Sequence, residues 1–173
     1  MNTKTLVLTL GAALSLGGAA FAQQMPMSPV SSTDRQYIIK DAQGSVADYA
    51  NGAAAVNQAQ SPAVRQLGVW FMEDHNRLNM ELLALAQTKG ITVPLTISDE
   101  DKTSLTTLSG KSGADFDRAW LAQAIKTNKQ DIKDGEQEVK STTDPDVKRV
   151  ATDFLTTEYA HLAATQSIMD SMK

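Results

Sequence analysis

From residue 33 to its end, the chain places apolar residues at helical spacing almost continuously, in four runs of about 25 residues each. The first run, for example, follows Ile38, Ala42, Val46 and Tyr49. A stripe of this kind has to be buried against other helices. A half-buried strand would show alternation of apolar and polar residues instead, and no segment does so. The pattern therefore predicts an all-α protein.

Capping residues divide the runs into four long helices. We expect these helices to begin at Thr33 or Asp34, Ser61, Asp115 and Asp144. Pro62 and Pro145 directly follow two of the caps, at the position where a missing N–H costs nothing. The second helix should end at Lys89-Gly90, where a basic last turn meets a glycine.

A long connection separates the second and third long helices, over residues 91–114. It contains Pro94 and a predicted short helix that begins near Ser98 and ends at Ser109-Gly110. The acidic first turn of that helix suits the helix dipole. Two helical hairpins joined by a long crossover that contains a short helix are the arrangement of a ferritin-like four-helix bundle.

The first 22 residues have the pattern of a signal peptide: Lys4, an apolar stretch, and then Ala20-Phe21-Ala22 as a cleavage site. We expect cleavage after Ala22 and a periplasmic or secreted protein with no membrane span after cleavage. Residues 23–32 hold prolines and serines without periodicity and are interpreted as a flexible leader. The bundle is predicted over residues 33–173.

The second hairpin resembles a diverged copy of the first. A shift of 83 residues aligns Ser61-Pro62 with Asp144-Pro145, and it aligns Phe71 with Phe154. The same shift aligns Asp48 with Asp131 and Gly52 with Gly135. Coincidence between helical stripes is the alternative explanation.

Both histidines of the chain, His75 and His161, lie within apolar stripes at about the middle of the predicted bundle. Glu158 precedes His161 by three residues, so both side chains can reach one ion. Asp48 and Asp131 should lie at similar heights, together with Asn128. These residues form a candidate site for Zn, Fe or Mn.

The candidate site departs from a di-iron bundle, which takes a Glu-x-x-His pair from each hairpin. In the first hairpin His75 occupies the glutamate position and Leu78 the histidine position. One ion is therefore the most that the pattern supports. The other interpretation, which the sequence pattern favours, is a structural layer of hydrogen-bonded polar side chains. Asp74 lies off the stripe and is interpreted as solvated.

Composition excludes several classes of function. The chain has no cysteine, which excludes disulfides, thiolate metal sites and a cysteine nucleophile. A net charge of −4 with scattered basic residues argues against nucleic acid as a partner. Hydrolase motifs and phosphate-binding loops are absent from the sequence. A homo-oligomer and the identity of any protein partner stay open.

The order of several motifs resembles the DUF4142 family. They are Tyr37-Ile38-x-x-Asp41-Ala42-Gln43-Gly44, Ser61-Pro62-x-Val64, Phe71-Met72-x-Asp74-His75, Phe116-Asp117-Arg118-Ala119-Trp120-Leu121, Asp144-Pro145-x-Val147 and Glu158-x-x-His161. The resemblance covers about residues 34–171 and implies an exported bacterial domain with a ferritin-like fold and no assigned activity. It also implies that a histidine is common where this chain has Asn128, and a glutamate where it has Asp48.

From these observations we expect an exported helical bundle with a non-catalytic envelope role, such as binding a partner or persisting under stress. The alternative is a ferritin-like protein with a metal site in the middle of the bundle.

Overall fold

The computed structural model describes residues 30–94 and 96–172, which form five helices and no strand. The helices are α1 (Ser32–Gln58), α2 (Pro62–Thr88), α3 (Asp99–Ser109), α4 (Gly113–Ser141) and α5 (Pro145–Ser171). The predicted all-α bundle with a short crossover helix is thus confirmed. The predicted signal peptide and residues 23–29 of the predicted leader lie outside the described residues.

The four long helices pack as two hairpins side by side. α1 packs along α2 and α4 along α5, while α2 also contacts α5 and α1 contacts α4. The short crossover helix α3 packs more lightly, against α1 and α4. None of the helices in the described ranges is long and apolar enough to cross a membrane.

Two of the predicted helix starts are wrong by a few residues. Ser31, not Thr33 or Asp34, caps α1, because its hydroxyl accepts from the backbone N–H of Asp34 while the Asp34 carboxylate accepts from the backbone N–H of Ser31. α4 begins after Ser112, so Asp115 lies in its first turn, where its negative charge interacts favourably with the helix dipole.

The other predicted boundaries hold. Asp144 caps α5 by accepting from the backbone N–H groups of Asp146 and Val147. α2 begins at Pro62 and ends before Lys89, and Gly90 follows with a positive φ of 64°.

α1 and α2 approach closely where two glycines face each other. A Cβ atom at Gly52 would lie 2.6 Å from the carbonyl oxygen of Gly68, and one at Gly68 would lie 2.7 Å from that of Gly52. Only glycine lets the two backbones come this close to each other. The contact lies one helical turn from Asp48 and therefore sets the distance between α1 and α2 near the candidate site.

The apolar core consists of two clusters separated by a polar layer. One cluster contains Leu78, Leu82 and Phe154, and the other contains Phe71 and Trp120. Phe71 and Phe154 are both buried, as their positions in the repeat predict. The candidate site residues occupy the layer between the clusters, with apolar packing on either side.

Candidate metal centre

Three buried side chains of the polar layer converge. α2 contributes His75, and α5 contributes Glu158 and His161, whose spacing of three residues places both on the same helix face. Their exposed fractions are 0%, 1% and 2%. One donor atom from each lies within 4.8 Å of the other two. Two helices from different hairpins thus bring two imidazoles and one carboxyl group together.

His75 lies at the centre of this group without a hydrogen bond. Its Nε2 atom is 3.8 Å from Oε1 of Glu158 and 4.0 Å from Oδ2 of Asp48, and both distances exceed hydrogen-bond length. Neither ring nitrogen of His75 and neither carboxyl oxygen of Glu158 has a hydrogen-bond partner among the described residues. Buried polar atoms nearly always have such a partner.

Burial disfavours the charged forms of these groups. It lowers the pKa of His75 to about 3, assisted by the charges of His161 and Arg77. Burial also raises the pKa of Glu158 well above its ordinary value, and the nearby carboxyl of Asp48 adds to that rise. At neutral pH His75 is therefore an uncharged imidazole, which is the form that binds a metal ion.

His161 is held by a residue that the sequence analysis did not include in the site. Its Nε2 atom lies 3.0 Å from Oδ2 of Asp74, whose side chain is 40% exposed. Because a carboxylate only accepts, Nε2 donates and the neutral ring offers its lone pair at Nδ1. That Nδ1 atom is buried and has no hydrogen-bond partner among the described residues.

Aromatic rings fix the plane of His161. Phe71 stacks on it with ring centroids 4.2 Å apart and an angle of 13° between the planes. His75 lies at a centroid distance of 5.3 Å from His161 and 5.5 Å from Phe71. The imidazoles are therefore held in position by packing as well as by Asp74.

Asn128 has a structural role in the polar layer. In the amide orientation that suits its surroundings, its nitrogen donates to the carbonyl oxygen of Ala124 at 2.7 Å, and its oxygen accepts from the backbone N–H of Leu162 at 3.1 Å. The side chain thus links α4 to α5. A polar residue of this layer can thus find its hydrogen-bond partners within the protein itself.

Asp131 does not belong to the converging group. It lies instead with Asp48 on the wall of a cavity of about 520 Å³ between α1, α3 and α4. Burial raises the pKa of Asp131 to about 7 and that of Asp48 well above its ordinary value. Of the two predicted aspartates, only Asp48 approaches a histidine.

The donor set fits a transition-metal ion. Two imidazole nitrogens and a carboxyl oxygen are ligands of Zn and of other divalent first-row metals. In a tetrahedral site with metal–ligand distances of about 2.1 Å, neighbouring ligand atoms lie about 3.4 Å apart. The separations of 3.8 to 4.8 Å lie within about 1.5 Å of that value, so side-chain movements could close the site. Asp48 could supply a fourth ligand.

Comparison with solved structures shows the same fold in distant proteins. A DUF305 fragment from Deinococcus radiodurans is 15% identical, with a TM-score of 0.75 over 83% of this chain and 99% of that one. CopM in the Cu(II)-bound form is 16% identical, with a TM-score of 0.71 over 81% of this chain and 97% of that one. A protein from Bacillus halodurans C-125 is 10% identical, with a TM-score of 0.69 over 84% and 91%.

At these identities the similarity shows the fold alone. No curated protein matches the chain. The family model described as a domain of unknown function, DUF4142, matches residues 19–168. The chain therefore belongs to the DUF4142 family.

Proposed function

We propose that this protein binds one divalent first-row transition-metal ion in the middle of its helical bundle. His75, His161 and Glu158 are the ligands, and Asp48 is the fourth protein group within reach. The observation that carries this proposal is the convergence of three buried side chains, five of whose polar atoms lack hydrogen-bond partners among the described residues.

The cost of such atoms favours a metal site over a purely structural layer. A buried polar group without a partner costs about 1–3 kcal/mol. His75 and Glu158 contribute four such atoms, and Nδ1 of His161 is a fifth. A bound cation would supply a partner to several of them at once. By contrast, the amide nitrogen and oxygen of Asn128 both bond backbone groups, as a structural residue should.

The contact between Asp74 and His161 gives independent support. A metal-binding histidine almost always donates its other ring N–H to a carboxylate, a carbonyl or water. Asp74 occupies that position at 3.0 Å and directs the lone pair of His161 to Nδ1. An arrangement of this kind raises the basicity of the ligand and orients its ring.

The nature of the ion follows from the donors. Imidazole and carboxyl groups suit Zn, Fe(II), Mn(II) and Cu(II), and the converging group holds no soft sulfur ligand that would select Cu(I). The Cu(II)-bound form of CopM shows that a protein of this fold carries a divalent transition metal. That similarity supports the choice of metal class without transferring any ligand.

We also propose that the protein is exported and binds its ion outside the cytoplasm. Support comes from the signal-peptide pattern that ends at Ala20-Phe21-Ala22. N-terminal sequencing of protein from the envelope fraction should find Gln23, or its cyclised form, as the first residue. Retention of residues 1–22 would contradict this assignment.

Elemental analysis and metal-dependent melting test the metal site. Protein purified without a polyhistidine tag should retain a stoichiometric metal ion, or take one up after chelation when Zn(II), Mn(II) or Cu(II) is added. Because the ion binds only the folded state, saturation at 100 times Kd should stabilise the protein by about 2.7 kcal/mol. The measured quantity is the rise in melting temperature on metal addition.

Two variants identify the ligands. Glu158→Gln keeps the shape of the side chain and removes the carboxylate, and His161→Ala removes an imidazole. Each should abolish the metal-dependent rise, whatever its effect on the metal-free protein. Glu73→Gln removes an exposed carboxylate from α2 and should leave the rise unchanged. A rise that persists in both ligand variants would refute the site.

A further inference from the structure

A cavity lies beside the candidate metal centre. It encloses about 520 Å³ between α1, α3 and α4. Glu100 is exposed and Asp101 is half-buried on the α3 side, whereas Ser45 and Asp48 are buried on the α1 side. The cavity therefore extends from the surface towards the interior of the bundle.

Asp48 joins the cavity to the metal centre. Its side chain lines the cavity, and its Oδ2 atom lies 4.0 Å from Nε2 of His75. Phe154 also lines the cavity, and its ring centroid lies 6.2 Å from that of His75.

The wall of the cavity suits a hydrated cation. Five carboxyl groups line it, and Lys40, one of only two lysines on the wall, is paired with Asp134. Ser45 is 1% exposed, and its hydroxyl oxygen has no hydrogen-bond partner among the described residues. Oxygen atoms of these kinds can replace water molecules around an ion as it moves inward.

Gly44 keeps one side of the cavity open. It lies in the middle of α1, where glycine costs about 1 kcal/mol relative to alanine. Unlike Gly52, it has no packing reason to be glycine, because a Cβ atom built at Gly44 would meet nothing within 4 Å. Any larger side chain at this position would start in open space beside the cavity.

We propose that this cavity is the path by which the metal ion passes between solution and the site at His75, His161 and Glu158. The path rests on the proposed function. Asp48 is its inner end, the acidic residues of α3 mark its outer end, and Gly44 leaves its width unobstructed.

A bulky side chain that plugs the cavity tests this path through the rates of metal binding and release. Gly44→Phe should slow both binding and release of Zn(II) by about tenfold or more, because a barrier on a path acts in both directions. The dissociation constant should change by less than about threefold, since the ligands are untouched. Gly44→Ala is the matched control and should leave both rates unchanged. Stopped-flow exchange of Zn(II) with a metallochromic chelator measures both rates.

A second pair of variants tests the charge of the path. Gly44→Lys should slow Zn(II) binding more than Gly44→Gln, and about 1 M salt should reduce the difference because it screens charges beyond about 3 Å. Ser104→Trp places a bulky side chain in the cavity from the α3 side. It replaces Gly44→Phe in the test if circular dichroism shows that Gly44→Phe does not fold.

The possible results distinguish a failure of the proposed path from a failure of the proposed metal site. Wild-type rates in Gly44→Phe and Ser104→Trp, with normal affinity, would overturn the path and leave the metal site standing. A loss of affinity at unchanged association rate would also overturn it, since the plug would then act on the ligands. Wild-type protein that takes up no Zn(II) even overnight would overturn both proposals.

Discussion

Nε2 of His161 lies 3.0 Å from a carboxylate oxygen of Asp74, across the contact between α5 and α2. His161 is 2% exposed, whereas the Asp74 side chain is 40% exposed. Burial lowers the pKa of His161, and Asp74 opposes that shift. The contact thus connects the proposed ligand His161 inside the bundle to a carboxylate at its surface, and it decides which ring nitrogen remains free.

Replacement of Asp74 should weaken metal binding without removing a ligand. Loss of a carboxylate behind a metal-binding histidine typically costs 10–100-fold in affinity. Asp74→Ala should therefore raise the dissociation constant by about that factor, and Asp74→Asn by less, because an amide oxygen can still accept from Nε2. Competition titration with a chelator measures the change. The adjacent exposed variant Glu73→Gln should bind like the wild type, and equal affinity in Asp74→Ala would exclude the positioning role.

The fold was predictable because each long helix carries its own apolar stripe and its own start signal. The positions of His75, Glu158 and His161 followed from helix rise and spacing alone, since all three lie on inward faces. The cap of α1 lies at Ser31 rather than at Thr33 or Asp34, because the side chains of Ser31 and Asp34 each accept from the backbone N–H of the other.

Contacts between helices were not predictable in the same way. Asp74 lies beside the stripe of α2, and whether it meets His161 depends on how α5 packs against that edge. Asp131 aligns with Asp48 in the repeat, yet it lies on the cavity wall away from the histidines. Asn128 binds backbone atoms of two helices, one of which is far away in sequence. Such details depend on packing angles that periodicity does not contain.

Phe71 supports both the apolar core and the proposed metal centre. Its ring packs against Trp120 at a centroid distance of 5.3 Å and stacks on His161. Phe71→Ala should lower the free energy of unfolding by about 3–5 kcal/mol. Urea denaturation measures this loss. The neighbouring Trp70 is 49% exposed, and Trp70→Ala should cost less than about 1 kcal/mol. Equal losses in the two variants would contradict the assignment of the buried face of α2.

Two glycines of α1 should respond oppositely to the same change. A Cβ atom at Gly52 would lie 2.6 Å from a backbone oxygen of Gly68, so Gly52→Ala must push α1 and α2 apart at a cost of about 1–3 kcal/mol. At Gly44 a Cβ atom meets open space, so Gly44→Ala should stabilise the protein by about 0.5–1 kcal/mol. Thermal and urea unfolding of both variants test the pair. Destabilisation by Gly44→Ala would contradict the open space beside this position.

Asp41 should make the stability of the protein depend on pH. Burial is the largest cause that raises the pKa of this carboxyl from an ordinary value of 3.8 to about 8, although Tyr37 and Lys40 oppose the rise. The folded state therefore holds the proton more tightly than the unfolded chain does. The stabilisation that comes from this tighter binding of the proton is complete below about pH 4 and is lost as the pH rises through about 8.

The variant Asp41→Asn has no proton to lose, so its advantage over the wild type should grow with pH. Each pKa unit corresponds to about 1.4 kcal/mol. Between pH 5 and pH 8 we expect the free energy of unfolding of the variant to gain about 2–4 kcal/mol relative to the wild type, measured in urea on metal-free protein. A profile of Asp41→Asn that runs parallel to that of the wild type would mean that burial does not raise the pKa of the Asp41 carboxyl.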